Sequence, residues 1–173
     1  MSRALVVVDY QNDFVKGSLG SPSAEAIEDC IVLKIKEYLA HGDEVFFTMD
    51  THGDDYLATD EGTHIPVRHC IKGTPGWKIF GKVAEYSHMG KTIEKHTFGS
   101  LRLVGELKGY DKIELCGVAT NVCIMANAVI LKTAYPESEI TVDPECVASY
   151  DRDLHEKALD IMRSLSIDIL GRP

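Results

Sequence analysis

An α/β fold, with an open and mostly parallel sheet layered between helices, is the architecture this sequence predicts. Two observations carry that reading: short apolar runs alternate with longer segments of helical period, and the runs are near-continuously apolar instead of alternating with polar residues. Parallel strands need crossover connections, and the helices in those connections bury both faces of the sheet.

The runs are ALVVVD (residues 4–9), EVFFTMD (44–50), KTIEK (91–95), KIELCGV (112–118), EITV (139–142) and IDIL (167–170), which makes six candidate strands. After the first, residues 23–42 carry Ile27, Ile31, Ile35 and Leu39 on one helical face and stop at Gly42, a residue suited to a helix C-cap. Residues 51–77 are long and irregular, with Gly, Pro and three histidines, and a loop of that length in a compact fold is usually functional. Beyond the third run, SLRLVGELKGY places Leu101, Val104 and Leu107 on one face. NVCIMANAVILKTAYP reads as an apolar helix stopped by Pro136, and DRDLHEKALDIMRSL carries Leu154, Ala158, Ile161 and Leu165.

With 173 residues, 45% hydrophobic and 26% charged, and no repeat or linker-like stretch, the expectation is one domain over residues 1–173. The net charge of −9 comes from scattered acids, which disfavours nucleic acid and anionic membrane as partners. A small molecule or a protein is the expected partner. MSRALVVVDYQ contains no basic-then-apolar leader and no later run approaches a membrane span, so the expected location is the cytoplasm. Five cysteines, Cys30, Cys70, Cys116, Cys123 and Cys146, show no CxxC spacing, and they are expected to be reduced thiols. Cys30 and Cys116 read as core, and Cys70 as packing. His41, His88, His96 and His155 read as solvent-side residues without a role.

In open α/β sheets, ligands bind beyond the carboxyl ends of the strands. There the runs deliver Asp9, Asp50 with His52, Lys95, and Cys123 a few residues past the fourth run. Singly, each has a bland reading as a turn cap, a strand end or a small core residue. Together they supply what an activated thiol requires. The free N–H groups of a helix N-terminus favour a thiolate, a nearby ammonium lowers its pKa further, and Asp9 can take and return a proton. Asp50, His52, His64 and His69 suit a Zn²⁺, Mn²⁺ or Fe²⁺ site, with Asp50 and His52 on the same side of an extended strand. Spacing alone leaves solvated loop histidines as the equal alternative.

The blocks VVVDYQNDF (6–14), DTH (50–52), HCIKGTPG (69–76), EKHTFGS (94–100) and GVATNVCI (117–124) resemble the isochorismatase-like cysteine hydrolases, and within them the nicotinamidase branch. The resemblance implies a three-layer αβα sandwich around a six-stranded parallel sheet. It also implies a Cys123–Asp9–Lys95 triad, a cis peptide between Val118 and Ala119, and an oxyanion hole from the N–H groups of Ala119 and Cys123. Asp50, His52 and His69 match the positions of a divalent metal, zinc being expected and manganese or iron the other options. Thr51 stands where the family often has tryptophan, and THIPVRHC lacks an expected tryptophan, so the fourth ligand falls to Glu61 or His64. Phe14 is expected against the substrate ring.

The implied reaction is hydrolysis of a small amide, nicotinamide to nicotinate and ammonia, through a thioester at Cys123. The alternatives are another small amide, ureido or carbamoyl compound, or a non-catalytic binding protein on the same fold. A homo-oligomer is also implied.

Overall fold

The computed structural model describes residues 1–172. Strand β1 (Arg3–Val8) leads through two short helices, α1 (Asn12–Val15) and α2 (Pro22–Ala26), into α3 (Glu28–His41) and β2 (Glu44–Asp50). The stretch after β2 holds α4 (Asp60–His64) among 3-10 turns and ends at β3 (Lys91–Lys95). Then come α5 (Leu101–Glu106), β4 (Lys112–Val118), a π-helical turn (Thr120–Ile124), α6 (Met125–Ala134), β5 (Glu139–Ala148), α7 (Arg152–Ser164) and β6 (Asp168–Ile169). All six strands are parallel, in the order β3-β2-β1-β4-β5-β6. No helix among the described residues is long and apolar enough to cross a membrane.

The strands are apolar throughout because each face of the sheet has its own helical cover. Ala4, Val6 and Val8 of β1 join a cluster with Leu103, Leu131, Leu159 and Met162 of the α5, α6 and α7 side. Leu5 and Val7 point the other way, into a cluster with Ile31, Ile35 and Tyr38 of α3. Period two along one strand thus feeds two cores. Gly117 of β4 has φ +111, and a Cβ there would lie 2.2 Å from the Val8 carbonyl oxygen, so only glycine lets β4 close on β1 at this point.

Several expectations need correction. The helix over residues 23–42 is broken at Ile27 into α2 and α3, although Gly42 caps the end as expected with φ 76. Of the face expected around α5, Leu107 is buried and Val104 half-buried, but Leu101 is exposed and Leu103 is buried instead; of the face expected around α7, Ala158 is buried, but Leu154, Ile161 and Leu165 are exposed and Leu159 and Met162 are buried instead. Both sequences carry two overlapping apolar stripes, and contact with the sheet selects between them. β5 continues past Val142 to Ala148 through a bulge over residues 143–146, which include Pro144: Val142 to Val147 stand opposite Leu115 to Gly117 of β4. Cys30 and Cys146 are joined as a disulfide, with Cα atoms 5.5 Å apart, and so are not thiols. A separation of 116 residues hides that pairing in the sequence, and the β5 bulge brings Cys146 onto α3. Cys70, Cys116 and Cys123 are free and buried.

Candidate active site

The strand order reverses between β1 and β4, and the polar residues gather beyond the carboxyl ends of the central strands. Asp9 follows β1 directly. It is fully buried, and its φ of 47 is a strained conformation for a residue with a side chain. Thr48 of β2 holds it, accepting from the Asp9 N–H at 3.2 Å and donating its hydroxyl to Asp9 Oδ1 at 2.6 Å. Lys95, at the end of β3, is buried with its ammonium 2.7 Å from Asp9 Oδ2, 3.3 Å from Asp50 Oδ1 and 3.5 Å from Cys123 Sγ. It also donates to the Thr97 carbonyl at 3.0 Å. Asp9, Lys95 and Cys123 are therefore brought together, as the sequence led us to expect.

The charges are set by competition. Burial opposes the Lys95 ammonium, but Asp9, Cys123 and Asp50 around it outweigh burial and hold it protonated. Burial pushes Asp9 up, and Lys95 offsets this only in part. Burial likewise pushes the Cys123 thiol well up, against Lys95 and with Asp9 and Asp50. This overturns the expectation of a lowered thiol pKa. Cys123 is itself buried within its π-helical turn, and desolvation of the sulfur exceeds the pull of one ammonium already shared with two carboxylates. The peptide between Val118 and Ala119 is cis, as the resemblance implied.

Asp50 belongs to a second group. Its Oδ2 lies 2.9 Å from His52 Nε2 and 3.4 Å from His69 Nε2; Glu61 Oε1 lies 3.6 Å and 3.9 Å from the same two nitrogens. Burial would raise Asp50, but bonds from His52 and His69 and the Lys95 charge hold it well below the ordinary carboxylate range. His52 reaches this point because the β2 direction continues through a bridge to Ile71, with His52 N–H donating to the Cys70 carbonyl at 3.0 Å. His69 Nδ1 is bonded to the Val67 carbonyl at 2.7 Å, which turns Nε2 toward the carboxylates.

Those four side chains fit a divalent cation. Their ligating atoms all lie within 4.8 Å of one another, and two imidazoles with two carboxylates are a donor set for a borderline divalent ion. Burial and the Asp50 charge push Glu61 up, a conflict that a central cation removes. His64 is excluded from this group: it is exposed and its Nδ1 bonds the Asp60 carbonyl one turn back in α4.

A cavity of about 170 Å³ adjoins both groups, lined by Cys123, Ala119, Asp50, Glu61, His69 and Phe14 among others. Phe14 packs on the His69 ring, with centroids 5.4 Å apart. Three supporting residues had no signal in the sequence. Gln11 is buried, donates to the carbonyls of Asp50 at 2.9 Å and Trp77 at 2.7 Å, and accepts from the Asp50 N–H at 2.8 Å. Trp77 Nε1 donates to the Thr51 hydroxyl at 2.9 Å. His155, expected at the solvent side, is half-buried against Thr120.

Comparison with known proteins agrees with this geometry. Residues 3–171 match the isochorismatase domain. The chain is 33% identical over 177 residues to the isochorismatase family protein PncA of Bacillus subtilis (strain 168), covering 92% of this chain and 93% of that one. It is 27% identical to the nicotinamidase/pyrazinamidase of Mycobacterium tuberculosis, covering 97% of this chain and 98% of the relative. The crystal structure of the Pyrococcus horikoshii pyrazinamidase in complex with zinc superposes with a TM-score of 0.87 at 26% identity, over 99% of this chain and 100% of that one. The chain belongs to the isochorismatase family.

Proposed function

We propose that this chain is a cysteine-dependent amidohydrolase whose substrate is nicotinamide, converted with water to nicotinate and ammonia. The observation that carries the reading is the meeting of Asp9 and Lys95 with Cys123, which lines a small cavity that Asp50, Glu61 and His69 of the four-residue donor set line as well. Relatives named as nicotinamidases support the substrate. A divalent ion held by those four residues, with zinc the natural choice for two imidazoles and two carboxylates, would supply a Lewis-acid contact for a ring nitrogen.

The chemistry follows from the charges. Cys123 rests as a thiol, so attack on the carboxamide carbon is coupled to transfer of its proton to Asp9. The S–C bond forms as the carbonyl electrons move to oxygen, where the N–H groups of Ala119 and Cys123 receive the charge. Collapse breaks the C–N bond, and Asp9 returns the proton to the departing ammonia. Water then adds to the thioester with Asp9 as base; the S–C bond breaks, the acid leaves, and Asp9 reprotonates the sulfur. Lys95 stays protonated and holds Asp9 in place. Phe14 closes the ring side of the cavity.

The same proposal takes residues 1–173 as one domain. It also includes self-association, which the exposed Phe98, Ile161 and Leu165 around an apolar groove between α6 and α7 support. A panel of nicotinamide, pyrazinamide and an N-carbamoyl amino acid, followed by ammonia release, tests the substrate. Turnover of the pyridine and pyrazine amides is expected; turnover of the carbamoyl compound alone would replace this reading with the ureido one.

A further inference from the structure

The turn that carries Cys123 is fastened from outside by a side chain of α7. Thr120 is fully buried, follows Ala119 directly, and has its hydroxyl 2.8 Å from His155 Nδ1. His155 stands near the start of α7, where Asp151 fixes the helix end: its Oδ1 accepts from the Leu154 N–H and its carbonyl from the His155 N–H, each at 3.0 Å. The imidazole is thus presented from a capped helix start.

The rest of the turn is tied residue by residue. The Ala119 carbonyl accepts from the N–H groups of Val122 at 3.0 Å and Ile124 at 3.1 Å. Asn121 Oδ1 accepts from the Ser149 hydroxyl at 2.6 Å, and the Cys123 carbonyl accepts from Asn127 Nδ2 at 2.7 Å. The His155 bond is the tether at Thr120, where the chain leaves the Val118–Ala119 step and enters the turn. Burial, with Arg172 and Arg152 nearby and Glu156 opposing them, holds His155 below its ordinary pKa, so the ring is neutral and suited to pair with a hydroxyl.

We propose that His155 is a positioning residue: its bond to Thr120 holds the backbone between Ala119 and Cys123 in the geometry that receives the developing oxyanion. The inference rests on Cys123 being the nucleophile. Donors that stabilise an oxyanion act only when aimed at the place the charge will occupy, and misplacement by about 1 Å costs up to about a hundredfold in rate. A tether on this turn therefore affects kcat more than substrate binding.

The test is steady-state ammonia release from nicotinamide by the wild type and by His155→Phe, Thr120→Val, their double mutant and His155→Asn, with urea midpoints for each. His155→Phe and Thr120→Val are each expected to lower kcat about tenfold with KM changed less than about twofold. The double mutant should fall no further than either single change, because both remove one bond. His155→Asn, whose amide reaches the Nδ1 position, should restore most of kcat. Wild-type kcat in His155→Phe, additive losses, or a loss that tracks the urea midpoint and is not relieved by asparagine would each overturn the assignment. If the wild type shows no Cys123-dependent ammonia release, the nucleophile reading itself fails; if it does and only the His155 variants behave as wild type, the failure is confined to this inference.

Discussion

Lys95 Nζ lies 3.3 Å from Asp50 Oδ1, while the other oxygen of Asp50 faces both imidazoles of the metal-type cluster. One carboxylate therefore joins the residues that handle protons to those that fit a cation, and the single ammonium between Asp9 and Asp50 is shared by two buried acids.

Replacing that ammonium tests the link. Lys95→Met leaves two buried carboxylates without their counter-charge, and breaking a buried ion pair from one side costs about 3–5 kcal/mol. The urea midpoint should fall accordingly and ammonia release should vanish. A variant as stable as the wild type would show that Lys95 is not the charge that balances this site.

The cluster separates its members from its neighbour in sequence. His52→Ala and His69→Ala are expected to lose bound metal, measured by elemental analysis after dialysis, and to raise KM for nicotinamide. His64→Ala should match the wild type in both, since the side chain is exposed and bonded to its own helix. Metal loss in His64→Ala would contradict the four-residue set.

The resting thiol is the third test. Burial pushes Cys123 up, so the thiolate fraction is small at neutral pH and grows only as pH rises above the ordinary thiol range. Alkylation of Cys123 by iodoacetamide, followed by peptide mass spectrometry, should be slow at pH 7 and still rising at pH 10. A plateau below pH 7 would show a resting thiolate and remove the need for coupled proton transfer to Asp9.

Gln11 gives a prediction the sequence did not offer. Its side chain makes three bonds at 2.7 to 2.9 Å, two of them to the Asp50 backbone, and truncation leaves buried partners unsatisfied at about 1–3 kcal/mol. Gln11→Ala should lower the urea midpoint and weaken metal retention together. An unchanged midpoint would count against the clamp.

The parallel sheet was legible because burial on both faces makes strands uniformly apolar, and Asp9, Lys95 and Cys123 were legible because strand ends converge in such sheets. Glu61 over His64 was not, since that choice depends on how α4 turns its faces: Glu61 looks inward to His52 and His69, and His64 looks out. Long-range pairs were also silent. Nothing in the spacing joins Cys30 to Cys146, Gln11 to Asp50, or His155 to Thr120, because each pair is made by packing of distant elements. The direction of the Cys123 pKa was misread for a related reason: proximity to lysine is visible in a motif, but the depth of burial that outweighs it is not.

Attack of Cys123 on an amide carbon is the step on which the proposed reaction depends. Ammonia release from nicotinamide by the purified protein, with Cys123→Ala as the paired sample and its fold checked by circular dichroism, tests it most directly. Steady release by the wild type and none above background by a folded Cys123→Ala are expected. Equal release by both proteins would contradict it, and so would its absence from a metal-loaded wild type.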